Sequence, residues 1–313
     1  MSERIRNHMD VLGLCALLAV VLVTYQRLDP TLLSPSTITI LSAQFLPLIL
    51  AAVAQTIVML TGGVDLSLGP VLSLGMAVFV VTAADGATGV LAAMALALAV
   101  TVAAGAANGA LVAYAGLPPI IVTLAASFLW TGVTLIVLPQ PGGHVPAGLV
   151  SAYNLGWYGI ALPALAVVVA LALWKLVRTT RFGLALYAVG GNEHGAYASG
   201  IDTRRVKILA YGFAGLFTGL AGIGLAIQTG SGDPNIGAPY TLNSIAVAVL
   251  GGISFFGGVG RMRATLLGAL LLGLLTNLLL FTGISTFYQL ILQGVVLVVA
   301  VAVKTLATRE RTA

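Results

Sequence analysis

Apolar positions along this chain run in long blocks separated by brief polar interruptions. Blocks near 11–26, 38–60, 66–84, 88–115, 119–138, 159–174, 208–228, 241–257, 264–282 and 284–303 have the length of membrane-spanning helices, ~20 residues each. They predict an all-α polytopic transmembrane bundle of about ten spans, with residues 1–313 forming a single domain. Two interruptions exceed a turn. The first, "PQPGGHVPAGLVSAYNLGWYG" at 139–159, is rich in Pro and Gly and places Tyr153, Trp157 and Tyr158 where aromatic rings anchor at a membrane surface. The second, 175–207, contains "RFGLALYAV" as a short amphipathic run, a break at Gly190–Gly191, and then a short helix from about Asn192 to Ser199. Asn192 suits an N-cap, and Glu193 in the first turn suits the helix dipole. A charged, structured segment of this kind predicts a docking surface, since a mere connector needs neither.

Composition excludes a soluble fold. Of 313 residues 59% are hydrophobic and 7% charged, against roughly 25% charged in a soluble domain. The net charge of +5 would point to nucleic acid in a soluble protein; in a bilayer it reports orientation instead, and no nucleic-acid partner is expected. With the N-terminus inside, the cytoplasmic segments are 1–10, 61–65, 116–118, 175–207, 258–263 and 304–313, and they hold 13 of the 14 Lys and Arg, leaving only Arg27 outside. That asymmetry predicts an even number of spans and cytoplasmic N- and C-termini. The start "MSERIRNHMD" followed by a short apolar run imitates a signal peptide, but "TYQRLDPTLL" supplies no small-residue cleavage site, so a retained first span is expected. The single Cys15 lies in that span as a packing residue and excludes disulfides within the chain. The Gly/Ala stripes "AGAANGALVAYAG" at 104–116 and "GFAGLFTGLAGIG" at 212–224 predict close helix packing, within the bundle or across a dimer face.

Catalytic signatures are missing. A phosphate-binding loop needs Gly-x-x-x-x-Gly-Lys, yet Lys175, Lys207 and Lys304 follow Trp174, Val206 and Val303. His8, His144 and His194 are too scattered for a metal site, and no His-Glu-x-x-His or Gly-x-Ser-x-Gly occurs. The chain is expected to transport without being an enzyme and to bind no metal.

The polar groups that remain inside the oil are therefore informative. Asp65 sits in "TGGVDLSLGP", 61–70, among Gly62, Gly63 and Gly69, at the cytoplasmic end of the second span. A charge at a span's centre costs about 2.5 to 3.5 kcal/mol on insertion scales, so this carboxylate needs water or partners. Two readings stand: Asp65 and Ser67 cap the helix beginning "LSLGP", or Asp65 lies on a polar pathway or against a partner protein. Gln55, Asn108, Asn243, Asn277 and Gln289 either bond across helices or line a wet cavity. With few charges to hold an ion, they suit a neutral polar solute.

These residues carry a resemblance. "TGGVDLSLGP" is similar to the Gly-Gly-Ile-Asp-Leu-Ser-Val-Gly signature of the permease subunits of bacterial ribose-type, monosaccharide ABC importers, in the branched-chain amino acid/ribose permease superfamily. Further matches follow in order: "AGLPPIIVTLAASFLWTGV" at 115–133, "GGNEHGAYASGI" at 190–201, "YTLNSIAVAVLGGISFFGGVG" at 240–260 and "LLGALLLGLLTNLLLFTGISTFYQLILQGVVLVVAV" at 266–301. The resemblance implies a homodimeric or heterodimeric membrane core in the bacterial inner membrane, two cytoplasmic ATP-binding subunits that hold ATP and Mg, and an outer solute-binding protein. It implies that Gly190, Gly191, Asn192, Glu193, Ser199, Gly200 and Ile201 form the element that couples to the ATPase. Here His194, Gly195, Ala196 and Tyr197 depart from the family's Ala-Ala-Arg-like stretch. The other readings are a permease of the same type for a nucleoside, a polyol, an autoinducer-like furanosyl compound or a branched-chain amino acid, and an ion-coupled carrier. Asp65 speaks against amino acids and nucleosides, whose relatives usually carry Asn there. The carrier would need a mid-membrane ion site, and the sequence offers no such cluster.

Overall fold

The computed structural model describes residues 3–155 and 162–285 and, beyond them, only 288, 291, 294, 295 and 298; side chains are described from Leu12 to Tyr153 and from Leu162 onward. Trp157, Tyr158, Gln289, the tail 304–313 and most of the run 284–303 lie outside the described residues.

The described residues are all-α, as the apolar blocks predict. They form α1 (Glu3–Leu28), α2 (Pro35–Leu60), α3 (Leu68–Thr82), α4 (Ala87–Ala115), α5 (Pro119–Val137), α6 (Ala147–Leu155), α7 (Leu162–Arg178), α8 (Arg181–Gly191), α9 (Glu193–Ala198), α10 (Thr203–Thr229), α11 (Ala238–Leu250) and α12 (Met262–Phe281). Five of these, α2, α4, α5, α10 and α12, are long and apolar enough to cross a membrane, and α7 with α8, bent by 75°, makes a sixth if taken as one broken span. Their outer faces carry large apolar side chains such as Leu96, Leu111, Phe128 and Ile136, a surface suited to lipid and too extensive for water.

The blocks at 66–84 and 241–257 require correction. They contain helices of only 15 and 13 residues, about 22 and 20 Å long and short of the ~30 Å hydrocarbon core. In the second block the remainder, 251–257, is a glycine-rich turn; in the first, two residues flank the helix on either side. The expected break at Gly190–Gly191 also moves: both glycines close α8, and the chain turns at Asn192. A Cβ on Gly190 would collide with the Leu60 carbonyl oxygen, whereas one on Gly191 would meet open space, so Gly190 serves close packing here. Tyr153 is buried in the bundle with its hydroxyl 3.5 Å from the Ala43 carbonyl, whereas a surface anchor was expected. Cys15 is exposed on α1 and packs into no core.

At the centre, α2 is buried continuously from Phe45 to Leu60, and α10 packs on α4, α2 and α3. The small-residue stripes make the α4–α10 contact possible: Gly105 faces the Tyr211 backbone, Gly109 the Ile208 Cα, and Gly215 the backbone of Thr101. Ridges of larger residues would hold these helices apart.

The short helices α3 and α11 are related to one another. Each follows a long buried helix across a break, "GGVDLSLGPVLS" at 62–73 and "GSGDPNIGAPYT" at 230–241. Gly62 and Gly230 both adopt positive φ, +82° and +71°. Asp65 Oδ1 accepts the Ser67 N–H at 2.8 Å, and Asp233 Oδ1 accepts the Asn235 N–H at 2.9 Å. Gly69 and Gly237 then touch backbone to backbone. The Gly69 N–H donates to Thr241 Oγ1 at 3.0 Å, and the Gly237 N–H donates to Ser73 Oγ at 2.9 Å. Around this reciprocal contact the packing repeats: α10 on α4 matches α2 on α12, α10 on α3 matches α2 on α11, and α3 on α4 matches α11 on α12. The units α2–α4 and α10–α12 are thus an inverted pair, with two half-length helices meeting N-terminus to N-terminus inside the bundle.

Candidate functional site

Two sites emerge, one buried in the first break and one at an end of the bundle. In the break, Asp65 is buried, and its Oδ1 also accepts the Ser67 hydroxyl at 2.6 Å. Ser67 in turn accepts the Asn108 side-chain N–H at 2.7 Å, and Asn108 Oδ1 accepts the Trp130 indole N–H at 3.2 Å. Gln55, fully buried on α2, brackets the same turn. With its amide set as these partners require, its oxygen accepts the Asp65 N–H at 3.2 Å and its nitrogen donates to the Asp65 carbonyl at 3.1 Å. Thr123 donates to the Val64 carbonyl at 3.0 Å. The break is therefore held from α2, α4 and α5 at once, which satisfies backbone groups that no helix satisfies.

The cap expectation needs correction at Ser67. Ser67 occupies the N-cap position of α3 with helical φ and ψ of −87° and −3° and makes no side-chain cap bond; its hydroxyl faces Asp65 and Asn108 instead. Of the other polar candidates, Asn277 lies apart, joining α12 to Tyr25 of α1 and, at 2.5 Å, to Gln44 of α2. Asn243 is half-buried on α11. Against the Gly63 backbone stands the Tyr211 hydroxyl, 2.6 Å from where a Cβ on Gly63 would lie, buried and without a hydrogen-bond partner.

The second site is the segment Gly190–Ile201. Asn192 Oδ1 accepts the Gly195 N–H at 2.9 Å, capping α9 at its start. At its end Gly200, with φ +83°, lets the Gly200 N–H reach the Tyr197 carbonyl and the Ile201 N–H reach the Ala196 carbonyl, which closes a Schellman motif. Ser199 adds a bond from its hydroxyl to the Gly195 carbonyl at 2.8 Å. Asn-Glu at one end and Ser-Gly-Ile at the other are thus the two caps of one short helix. This explains how the helix tolerates Gly195, which costs about 1 kcal/mol relative to Ala in a helix interior. Glu193 pairs with Lys207 Nζ of α10 at 2.6 Å. Asp202 caps α10 through the Arg205 N–H at 3.0 Å. The Arg204 guanidinium lies over the Tyr114 ring, 5.3 Å from its centroid. These residues border a groove of roughly 1160 Å³ between α9 and the corner Val112–Pro119.

Of the segments that charge alone assigned to one side, those at 61–65, 116–118, 175–207 and 258–263 gather at one end. The Gly258 N–H donates to the Leu60 carbonyl at 3.0 Å, Tyr187 reaches the Gly260 carbonyl at 3.3 Å, and residues 112–119 face α9. At the opposite end Gly142 bridges Gly232, and His144 pairs with Asp85 at 3.1 Å. Sequence reasoning missed Lys207, Asp202, Trp130 and Tyr211. Asp202 carried a readable signal, an acid just before a helical run; the other three look like ordinary residues of a charged loop or an apolar span.

Residues 37–301 match the model of the branched-chain amino acid transport system permease component. The chain is 39% identical over 311 residues to the ribose import permease protein RbsC of Bacillus subtilis, covering 96% of this chain and 95% of that protein. It is 37% identical over 271 residues to RbsC of Escherichia coli K12, covering 80% of each, and 32% identical over 303 residues to the D-allose transport system permease protein AlsC of the same strain, covering 96% and 93%. No solved structure matches at comparable significance. Helices built for lipid, a hydrogen-bonded break inside them and a match spanning most of the chain agree: this protein belongs to the family of branched-chain amino acid transport system permease components and is a multi-pass membrane permease.

Proposed function

We propose that the chain is the membrane-spanning subunit of a bacterial ATP-binding-cassette importer that carries a monosaccharide of the ribose, allose or galactose type across the inner membrane. Two such subunits, identical or related, form the core. Two cytoplasmic ATP-binding subunits hold ATP and Mg, and a solute-binding protein delivers sugar from outside. The observation that carries this reading is α9, exposed, capped at both ends and set beside a charged groove at the end where charge places the cytoplasm. The chain crosses the membrane about ten times, the apolar run 284–303 supplying a span beyond α12, with both termini inside.

Gly190 to Ile201 receive the motion of the ATPases. The break at Gly62–Gly69, with Gln55 and Asn108, lies beside the solute path, and the neutral amides suit hydroxyl-rich cargo that moves without tight binding. Asn243 on α11 faces the same route, while Asn277 serves as interhelical glue. Coupling is mechanical, and the chain contributes no catalytic group.

The test is ATPase activity of the complex in lipid, purified with its ATP-binding subunits, with and without sugar-loaded binding protein. Hydrolysis that rises with loaded binding protein and loses that response in Gly200→Trp, whose positive φ and exposed cap would be disrupted, supports the reading. A chain that recruits no ATPase contradicts it.

A further inference from the structure

The segment joining the two sites is one turn of α10. Lys207 and Tyr211 stand four residues apart and so share a face of the helix. At one end of that face Lys207 is paired with Glu193 of α9, its side chain only 17% exposed and Glu193 46%. Among the described residues no other carboxylate lies within 4.0 Å of Lys207. At the other end the Tyr211 hydroxyl abuts Gly63 in the break. Between them α10 is gripped by α4: Gly109 meets the Lys207 carbonyl and the Tyr211 Cβ at 3.1 and 2.9 Å from its would-be Cβ. A backbone-to-backbone contact of this kind passes displacement on, since interiors are close-packed and yield little.

We propose that the Glu193–Lys207 ion pair is the joint through which α9 moves α10, and with it Tyr211 against the Gly62–Gly63 hinge of the break. Lys207 is a positioning residue: it touches neither solute nor nucleotide. A half-buried pair suits the task. Its attraction is screened less than that of a surface pair, and with the buried Ala196 it holds α9 to the helix that reaches the break. The unpartnered Tyr211 hydroxyl fits a group that gains its hydrogen bond in another position of the hinge, where the Asp65 carboxylate, two residues from Gly63, offers a strong acceptor in the same break.

This inference rests on the importer reading, and its test separates the two. The full complex in lipid is compared as wild type, Glu193→Gln, Lys207→Met, both together, and the exchange Glu193→Lys with Lys207→Glu. The readout is the ratio of ATPase activity with and without sugar-loaded binding protein, in complexes matched for assembled subunits. Each single variant is expected to lower that ratio about tenfold, the double variant no further than either single, and the exchange to restore most of it. Losses that add, a ratio unchanged in the singles, or an exchange as defective as the singles overturns the proposal. If the singles do not assemble, the exchange decides: assembly with a restored response supports the joint, and failure to assemble overturns it. A wild-type complex without any response defeats the importer reading itself.

Discussion

Asn108 sits in an alanine-rich apolar helix, and its side chain links the Ser67 hydroxyl to the Trp130 indole. Asn108→Leu removes both bonds and leaves a buried network short of a partner, a loss of about 1 to 3 kcal/mol; thermal unfolding in detergent will show the lower Tm. Tyr211→Phe makes the opposite case. Its hydroxyl has no partner here, so its removal is expected to leave Tm unchanged or raised while lowering the ATPase response to loaded binding protein. An unaltered response would remove Tyr211 from the account. At this scale the sequence is partly legible. Gln55, Asp65 and Asn108 stand out because a polar group in oil needs a partner, and the structure brings those three to one turn. Trp130 and Tyr211 do not stand out, since an aromatic ring in a span reads as packing until its polar atom is located.

For helices and their connections, hydropathy finds where apolar residues lie and says less about where a helix stops. Block 241–257 reads as a span because the glycines of its turn count as neither polar nor charged, and block 66–84 because its apolar run gives no sign that its helix has only 15 residues. Their kinship is equally hidden: the two breaks share Gly62 with Gly230, Asp65 with Asp233, Gly69 with Gly237 and a hydroxyl at Ser73 with Thr241, too few positions to notice without the hydrogen bonds. The inverted packing makes a quantitative prediction. Ser73→Val and Thr241→Val each strand one backbone N–H of the opposite short helix, so each is expected to destabilise by a similar amount, about 1 to 3 kcal/mol, in the same unfolding assay. Strongly unequal losses would show that the reciprocal bonds are not equivalent. The caps of α9 were readable in part: Asn192 as an N-cap came from residue type, while the Schellman closure depends on Gly200 adopting positive φ, which residue order alone only permits.

Across the whole molecule, the distribution of Lys and Arg carried the most information. Four of the segments it placed together, 61–65, 116–118, 175–207 and 258–263, far apart in sequence, meet at one end of the bundle, and this would not follow from hydropathy. In a Cys15→Ser background, Asp85→Cys is expected to react with a membrane-impermeant thiol reagent added to intact cells, and Ser199→Cys only in inverted vesicles; the reverse pattern would invert the topology. The proposed function requires that solute movement be driven by ATP on partner subunits. Its most direct test is uptake of labelled ribose into proteoliposomes that hold the assembled complex, with ATP enclosed and loaded binding protein outside. Uptake is expected to require ATP and the binding protein and to be indifferent to protonophores and sodium ionophores. Uptake that persists without ATP and collapses with an ion gradient would contradict it.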